Sequence, residues 1–140
     1  MMHAPQSDPQ AQLAAVDAAP DLRRSASGRE RTAGVVSLVV LYGMLYAAMA
    51  ARVSVWVGLA VYVVAFAMVL AWRSHHLDAA RRRPHTRVEN GLQFLAAVYL
   101  AFPASTLLFG EGPRSTAGHL VTAAIPTVLT GAYLVSRWRK

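Results

Sequence analysis

Three polar side chains that could do chemistry, Glu89, Asn90 and Gln93, stand within about one helical turn at the start of an apolar stretch. Together they could form a polar mouth at one end of a membrane helix, with Arg87 as the partner of Glu89. The structural alternative is that Glu89 complements a helix N-terminus, where the helix dipole favours negative charge. The sequence leaves both interpretations open.

Histidine is the second residue type that could serve as a ligand or a base, and the chain has five. They are His3, His75, His76, His85 and His119. His75 and His76 are adjacent, so on a helix their side chains diverge by about 100° and do not chelate one metal ion as an i, i+4 pair would. We therefore predict no metal site and no cofactor.

Catalytic motifs are missing from the sequence. Ser74, His75 and Asp78 are the residue types of a serine hydrolase, but no motif supplies an oxyanion hole or orients the base. An enzyme acting on lipid through Glu89, Asp78 and the histidines would need these groups to converge in one pocket. The lack of cysteine excludes disulfides, thiolate metal sites and cysteine nucleophiles. We predict no catalytic residue and no enzymatic activity.

The elements that must position these side chains are four apolar stretches, each about 19 or 20 residues long. They run from 33 to 51, 53 to 72, 91 to 109 and 117 to 136, and none contains Asp, Glu, Lys or Arg. Helices of this length reach about 29 Å, which matches a hydrocarbon core of about 30 Å. None shows the polar stripe of a helix that faces water. These features predict an all-α integral membrane bundle of four transmembrane helices.

The distribution of positive charge predicts the orientation of this bundle. Only Arg52 and Arg114 fall on one predicted side of the membrane. The other side holds 12 of the 14 basic residues: Arg23, Arg24, Arg29, Arg31, Arg73, Arg81, Arg82, Arg83, Arg87, Arg137, Arg139 and Lys140. By the positive-inside rule, both termini lie in the cytoplasm. The same rule explains the net charge of +7 without a nucleic-acid partner.

The segment between the second and third stretches predicts contact with lipid headgroups. Its arginines lie at headgroup depth, where each basic residue contributes about 1 kcal/mol of attraction to an anionic surface. The predicted headgroup contacts are Arg81, Arg82, Arg83 and Arg87. The lipid bilayer, with its anionic lipid headgroups, is therefore a predicted partner.

Residues 1–32 precede the predicted four-helix domain, which covers 33–140. They mix Pro, Gln, Asp, Ser, Gly and Ala with few large apolar residues, so little burial is available to offset the entropy of ordering them. We predict a disordered cytoplasmic tail. Because no long apolar run precedes residue 33, we expect the first span to act as an uncleaved anchor. Abundant arginine and alanine indicate a GC-rich bacterial genome and hence a plasma (inner) membrane protein.

Proline and small residues predict the shape and packing of the helices. Pro103 and Pro126 should each bend their helix, because proline lacks an N–H and clashes with the carbonyl four residues back. Small residues spaced by four let membrane helices approach closely. The predicted packing positions are Gly43, Ala47, Gly58 and Gly131. Packing within the bundle and association with a second protein both remain open.

Two connections are predicted to be tight. Little more than Arg52 separates the first two stretches, and one continuous helix would carry about 60 Å of apolar surface, twice what a bilayer covers. We therefore predict a hairpin between residues 50 and 54. The loop 110–116 contains two glycines and a proline, which predicts a tight turn.

In size and number of spans the chain resembles the small multidrug resistance exporters. Those proteins exchange protons for drugs through a membrane-embedded glutamate in the first span. The corresponding stretch, 33–51, contains no acidic residue, so the chain is not assigned to that family.

The features together favour a non-catalytic accessory or interaction subunit of a membrane complex, with a membrane protein partner or a homo-oligomer. The alternative is a small transporter or channel, with a cavity between the two proline-bent helices that is lined by hydroxyl groups. The candidate lining residues are Tyr99, Ser105, Thr106, Thr122, Thr127 and Thr130.

Overall fold

The computed structural model describes residues 26–79 and 84–139, with side chains throughout these ranges except at 77–79. Five helices follow one another in them: α1 (Gly28–Ala50), α2 (Val55–Ala79), α3 (Arg87–Tyr99), α4 (Ala101–Phe109) and α5 (Thr116–Trp138). The described ranges contain no strand. Because α3 and α4 form one span, the described residues contain four helical segments long and apolar enough to cross a membrane, as predicted.

The first span extends beyond its apolar stretch because a polar side chain caps it. The Ser27 hydroxyl accepts a hydrogen bond from the Glu30 N–H at 3.2 Å, as an N-cap does. Residues 28–32, which the sequence assigned to the tail, therefore form the start of α1. Residues 1–25, which make up most of the predicted tail, lie outside the described residues.

The second and third spans are likewise longer than their apolar stretches. Helix α2 continues to Ala79, so His75 and His76 lie on a helix and not in a loop. Helix α3 begins at Arg87, where Thr86 and Glu89 form a capping box. Several ionisable side chains thus lie on ordered helix ends. The predicted headgroup arginines at 81–83 fall outside the described residues.

The hairpin between α1 and α2 closes around Arg52, within the segment predicted from the sequence. The Arg52 N–H donates to the Met49 carbonyl and the Val53 N–H donates to the Ala48 carbonyl, each at 3.3 Å. These are the paired bonds of a Schellman motif at a helix C-terminus. Arg52 has a φ of +48°, the left-handed conformation in which glycine is usual.

The third span is interrupted at Leu100, between α3 and α4. Pro103 lies three residues further on and has no N–H to offer the Tyr99 carbonyl, so the hydrogen-bond ladder fails where the interruption falls. Pro126 lies inside the continuous helix α5. Both prolines are fully buried.

The loop between α4 and α5 needs glycine at its first residue. Gly110 has a φ of +69° and ends α4 in the left-handed conformation. Ser115 then caps α5 by accepting a hydrogen bond from the Gly118 N–H at 3.1 Å. The connection is therefore short, as the sequence predicted.

The helices pack around a narrow aliphatic core. Helix α5 lies against α1 and α3, while α2 lies against α4 and α1. The core combines residues of all four spans: Leu41, Leu45, Ala48, Met49, Ala65, Val69, Ala96, Leu100, Leu107 and Ala123. Only 17% of the most apolar stretch of the second span is buried, so most of its surface faces outward.

The predicted packing positions fall into two groups. A Cβ atom at Gly58 would lie 2.8 Å from the Leu107 backbone oxygen, and one at Gly131 would touch Leu38. These two glycines therefore lie at contacts between helices. In contrast, Gly43 has no atom within 4 Å of its Cβ position, and Ala47 is exposed. Both lie on the outside of the bundle.

Replacing Gly58 by Ala is expected to lower the free energy of unfolding by about 1–3 kcal/mol, because the Leu107 backbone must move to admit the methyl group. Denaturant titration of the purified protein in detergent micelles measures the change. The matched control is Gly91→Ala on α3, where a Cβ meets no atom within 4 Å. Equal effects of the two substitutions would contradict the close contact.

Candidate functional site

Six ionisable or hydrogen-bonding side chains from all four spans meet at one end of the bundle. We call them the polar cluster: Glu30, His76, His85, Glu89, Tyr133 and Arg137. We call this end, where α1 and α3 begin and α2 and α5 finish, the cluster end. The opposite end, with the α1–α2 hairpin and the loop 110–115, is the hairpin end.

Helix geometry brings the members of the polar cluster together. Glu30 lies in the first turn of α1 and His76 lies near the end of α2. Tyr133 and Arg137 are four residues apart near the end of α5, so both project from one face of that helix. Since consecutive spans run in opposite directions, these helix ends lie side by side.

Three hydrogen bonds form a continuous chain through the polar cluster. The Nε2 atom of His76 lies 3.2 Å from Glu30 Oε1, and its Nδ1 atom lies 3.1 Å from the Tyr133 hydroxyl. The same hydroxyl lies 3.0 Å from Nε2 of His85. An ionised carboxylate only accepts, so neutral His76 donates to Glu30 from Nε2 and accepts from Tyr133 at Nδ1. The Tyr133 oxygen then accepts from His85.

Aromatic contacts hold the side chains of this hydrogen-bond chain in place. The His85 ring stacks on Tyr133 with centroids 6.1 Å apart, and His76 meets Tyr133 edge to face at 5.4 Å. Trp72 stacks on His76 at 5.7 Å. His76 is only 3% exposed, so its two ring nitrogens depend on Glu30 and Tyr133 for hydrogen bonding.

Glu89 anchors the other half of the polar cluster. Its Oε2 atom accepts from the Thr86 N–H at 2.9 Å and pairs with Arg137 Nη1 at 3.4 Å. Both charged side chains are almost fully buried. Burial of an ion is costly unless it is paired and hydrogen-bonded, and this pair meets both conditions. The contact joins the start of α3 to the end of α5.

A groove of about 580 Å³ opens between α1 and α2 beside the polar cluster. Ala33, Met68 and Ala71 form apolar parts of the groove lining, while Glu30 and His75 are polar lining residues. The Glu30 side chain is 25% exposed and lies at one end of the hydrogen-bond chain, which therefore reaches the groove.

The structure separates the residues of the predicted polar mouth. Glu89 and Gln93 are buried, whereas Asn90 is exposed. Glu89 caps α3, as the structural alternative required, and its ion pair is with Arg137 and not with the exposed Arg87. Gln93 Nε2 donates to the Val69 carbonyl at 3.4 Å, while its Oε1 has no hydrogen-bond partner among the described residues.

The groups required for lipid chemistry converge only in part. His76, His85 and Glu89 all belong to the polar cluster, and His76 and Glu89 are buried. The Asp78 side chain is outside the described set. Within residues 26–79 and 84–139, no three His, Asp or Glu side chains are grouped to hold a metal ion.

Glu30, Tyr133 and Arg137 are site residues that were not predicted from the sequence. One signal was present: Tyr133 with Arg137, and Glu89 with Gln93, are pairs spaced by four near helix ends. Such spacing marks a polar face at the end of an apolar helix. The contacts that connect these polar faces are tertiary, because Glu30 and His76 are 46 residues apart and Tyr133 and His76 are 57 residues apart.

Comparison of the chain with protein-family models, curated proteins and solved structures gave no match. The four apolar helices are therefore the feature that classifies the chain, and they are compatible with a small multi-pass membrane protein.

Replacing Tyr133 by Phe is expected to lower the free energy of unfolding by about 1–3 kcal/mol, because His76 Nδ1 loses its partner inside the cluster. Denaturant titration in micelles measures the loss. Tyr62→Phe is the matched control, since Tyr62 is half-buried and contacts Phe66 through its ring. A Tyr133→Phe protein as stable as the control would contradict the role of the hydroxyl.

Proposed function

We propose that the protein is a non-catalytic accessory subunit of a complex in the bacterial inner membrane, with both termini in the cytoplasm. The single observation that carries this proposal is an exposed apolar face of α1 with a glycine at its centre. This outward face consists of Val36, Val39, Val40, Gly43 and Ala47, all exposed.

A mid-span glycine on the outside of a helix calls for a packing explanation. Glycine weakens a helix relative to alanine, and at Gly43 no neighbour in the bundle requires its small size. Gly43 and Ala47 instead leave a shallow notch flanked by valines. In lipid, such small-residue notches let a second helix approach closely enough to gain van der Waals contact. The occupant that fits is an apolar membrane-spanning helix of a partner protein.

Positive charge supports the proposed orientation. Arg29, Arg73, Arg87 and Arg139 are exposed at the cluster end, near the buried ion pair of Glu89 and Arg137. Placed on the cytoplasmic side, these exposed arginines contact anionic headgroups, as expected for Arg87 from the sequence. The arrangement also satisfies the positive-inside rule.

The geometry of the polar cluster supports a structural role over a catalytic one. His76, Glu89 and Tyr133 are buried, and each is bonded to another span. Such contacts fix the ends of four helices that otherwise slide against one another in lipid. We infer that the polar cluster sets the register of the helices and thereby the shape of the outward face.

The transporter alternative gains no support from the hydroxyl groups that suggested it. Four of the six candidates donate to carbonyls of their own helix, a local pattern that leaves no donor for a solute. Ser105 and Thr106 donate to the Phe102 carbonyl, Thr127 to Ala123 and Thr130 to Pro126, at 2.8 to 3.3 Å. Tyr99 stacks on Phe102, and Thr122 is buried.

Cross-linking tests the outward face directly, because the chain has no native thiol. An Ala47→Cys variant carrying a photoreactive maleimide should cross-link in native membranes to a discrete larger species. Adding Gly43→Leu fills the notch and should lower the yield of the cross-linked product by about tenfold. This change corresponds to a loss of about 1.4 kcal/mol in the free energy of helix association.

The matched control is Val128→Cys, an exposed position on α5 and not on α1, which should label only lipid. A product of twice the mass of the chain would show that the partner is a second copy of the same protein. The chain would then be a homo-oligomer and not an accessory subunit. Labelling of lipid alone at residue 47, or a yield unchanged by Gly43→Leu, would contradict the proposed surface.

A further inference from the structure

A cavity of about 590 Å³ lies at the hairpin end, between the α1–α2 hairpin and the loop 110–115. Arg52 and Arg114 both line it, and they are the two basic residues that the sequence places at this end. His119 lines it as well. The acidic residue nearest in sequence, Glu111, is not among the lining residues. The described wall of the cavity thus carries positive charge and no carboxylate.

His119 brings a third nitrogen-bearing side chain to the cavity. The residue is only 8% exposed, lies near the start of α5 and lines the cavity. An imidazole ring at this position can donate a hydrogen bond to a ligand inside the cavity.

The backbone conformation of Arg52 is a second observation that indicates a functional site at this cavity. Its φ of +48° occurs in a Schellman motif, where glycine is the residue of least strain. No other non-glycine residue within 26–79 and 84–139 has a positive φ. Strained backbone persists at functional sites when the side chain is needed there. Because Arg52 lines the cavity, the strained backbone position holds a cationic residue at the candidate site.

We propose that the hairpin-end cavity binds a phosphate group. Two guanidinium groups match the paired oxygens of a phosphate, and the His119 ring adds a further donor. The rest of the wall combines Thr106 with apolar residues, among them Met49, Val53 and Leu107. A phosphate attached to an apolar or neutral body therefore fits better than a fully hydrated inorganic ion. The source is either the headgroup of an anionic phospholipid or a soluble phosphate ester.

Thermal unfolding of the purified full chain in a neutral detergent tests the site, with inorganic phosphate, glycerol phosphate and phosphatidylglycerol as separate probes. A saturable rise in Tm is expected with at least one probe and not with chloride at equal ionic strength. A response to phosphatidylglycerol alone identifies a lipid headgroup. A response to the soluble probes identifies a phosphate ester.

Two variants locate the binding. Arg52→Gly should keep or raise the Tm of the unliganded protein, since glycine accepts the left-handed backbone. The same substitution should raise the apparent Kd for the phosphate probe by about tenfold or more. Arg114→Gln should weaken it similarly. Arg87→Gln, at the cluster end, is the matched control and should leave Kd unchanged. The proposal is overturned if no probe gives a saturable shift, if both cavity variants bind as the parent does, or if Arg87→Gln weakens binding equally.

Discussion

Hydrocarbon offers no hydrogen-bond partner, and this constraint explains where polar side chains occur in the molecule. In the middle of the bundle, the hydroxyls of Thr127 and Thr130 bond to carbonyls of their own helix. Groups that cannot be satisfied within a helix are gathered at the helix ends. There, Glu30, His76, Tyr133 and His85 satisfy one another across spans. The polar cluster is thus both a consequence of the apolar surroundings and the main specific link between the four helices.

The two ends of the bundle differ in how their charges are compensated. At the cluster end, the buried Arg137 is paired with Glu89, and the exposed arginines lie outside the hydrogen-bonded chain. At the hairpin end, Arg52, Arg114 and His119 share a cavity whose described lining has no acidic residue. The buried charges at the cluster end are therefore paired with each other, while the basic side chains at the hairpin end have no carboxylate beside them in the described lining of the cavity. The outward face of α1 lies between them and carries no charge.

The fold was largely predictable from the sequence because lipid imposes a strong and local signal. The length and composition of the apolar stretches predicted the four spans. The very short separation between the first two stretches, around Arg52, predicted the hairpin. Pro103 indicated where the third span is interrupted. The helix ends were less predictable, since Ser27 and Thr86 extend the helices through side-chain caps that apolar length does not detect. The polar cluster was the least predictable, because its members are distant in sequence and only the antiparallel packing of spans joins Tyr133 to His76.

In the proposed orientation, the four spans place the polar cluster on the cytoplasmic side of the membrane and the hairpin end on the opposite side. Single cysteines at Ser74, on α2 near the cluster, and at Glu111, in the exposed loop, report the two sides in a chain without native thiols. In intact spheroplasts of a bacterial host, a membrane-impermeant maleimide should label the cysteine at 111, and label the cysteine at 74 only after permeabilisation. Labelling at 74 in intact spheroplasts would contradict the account.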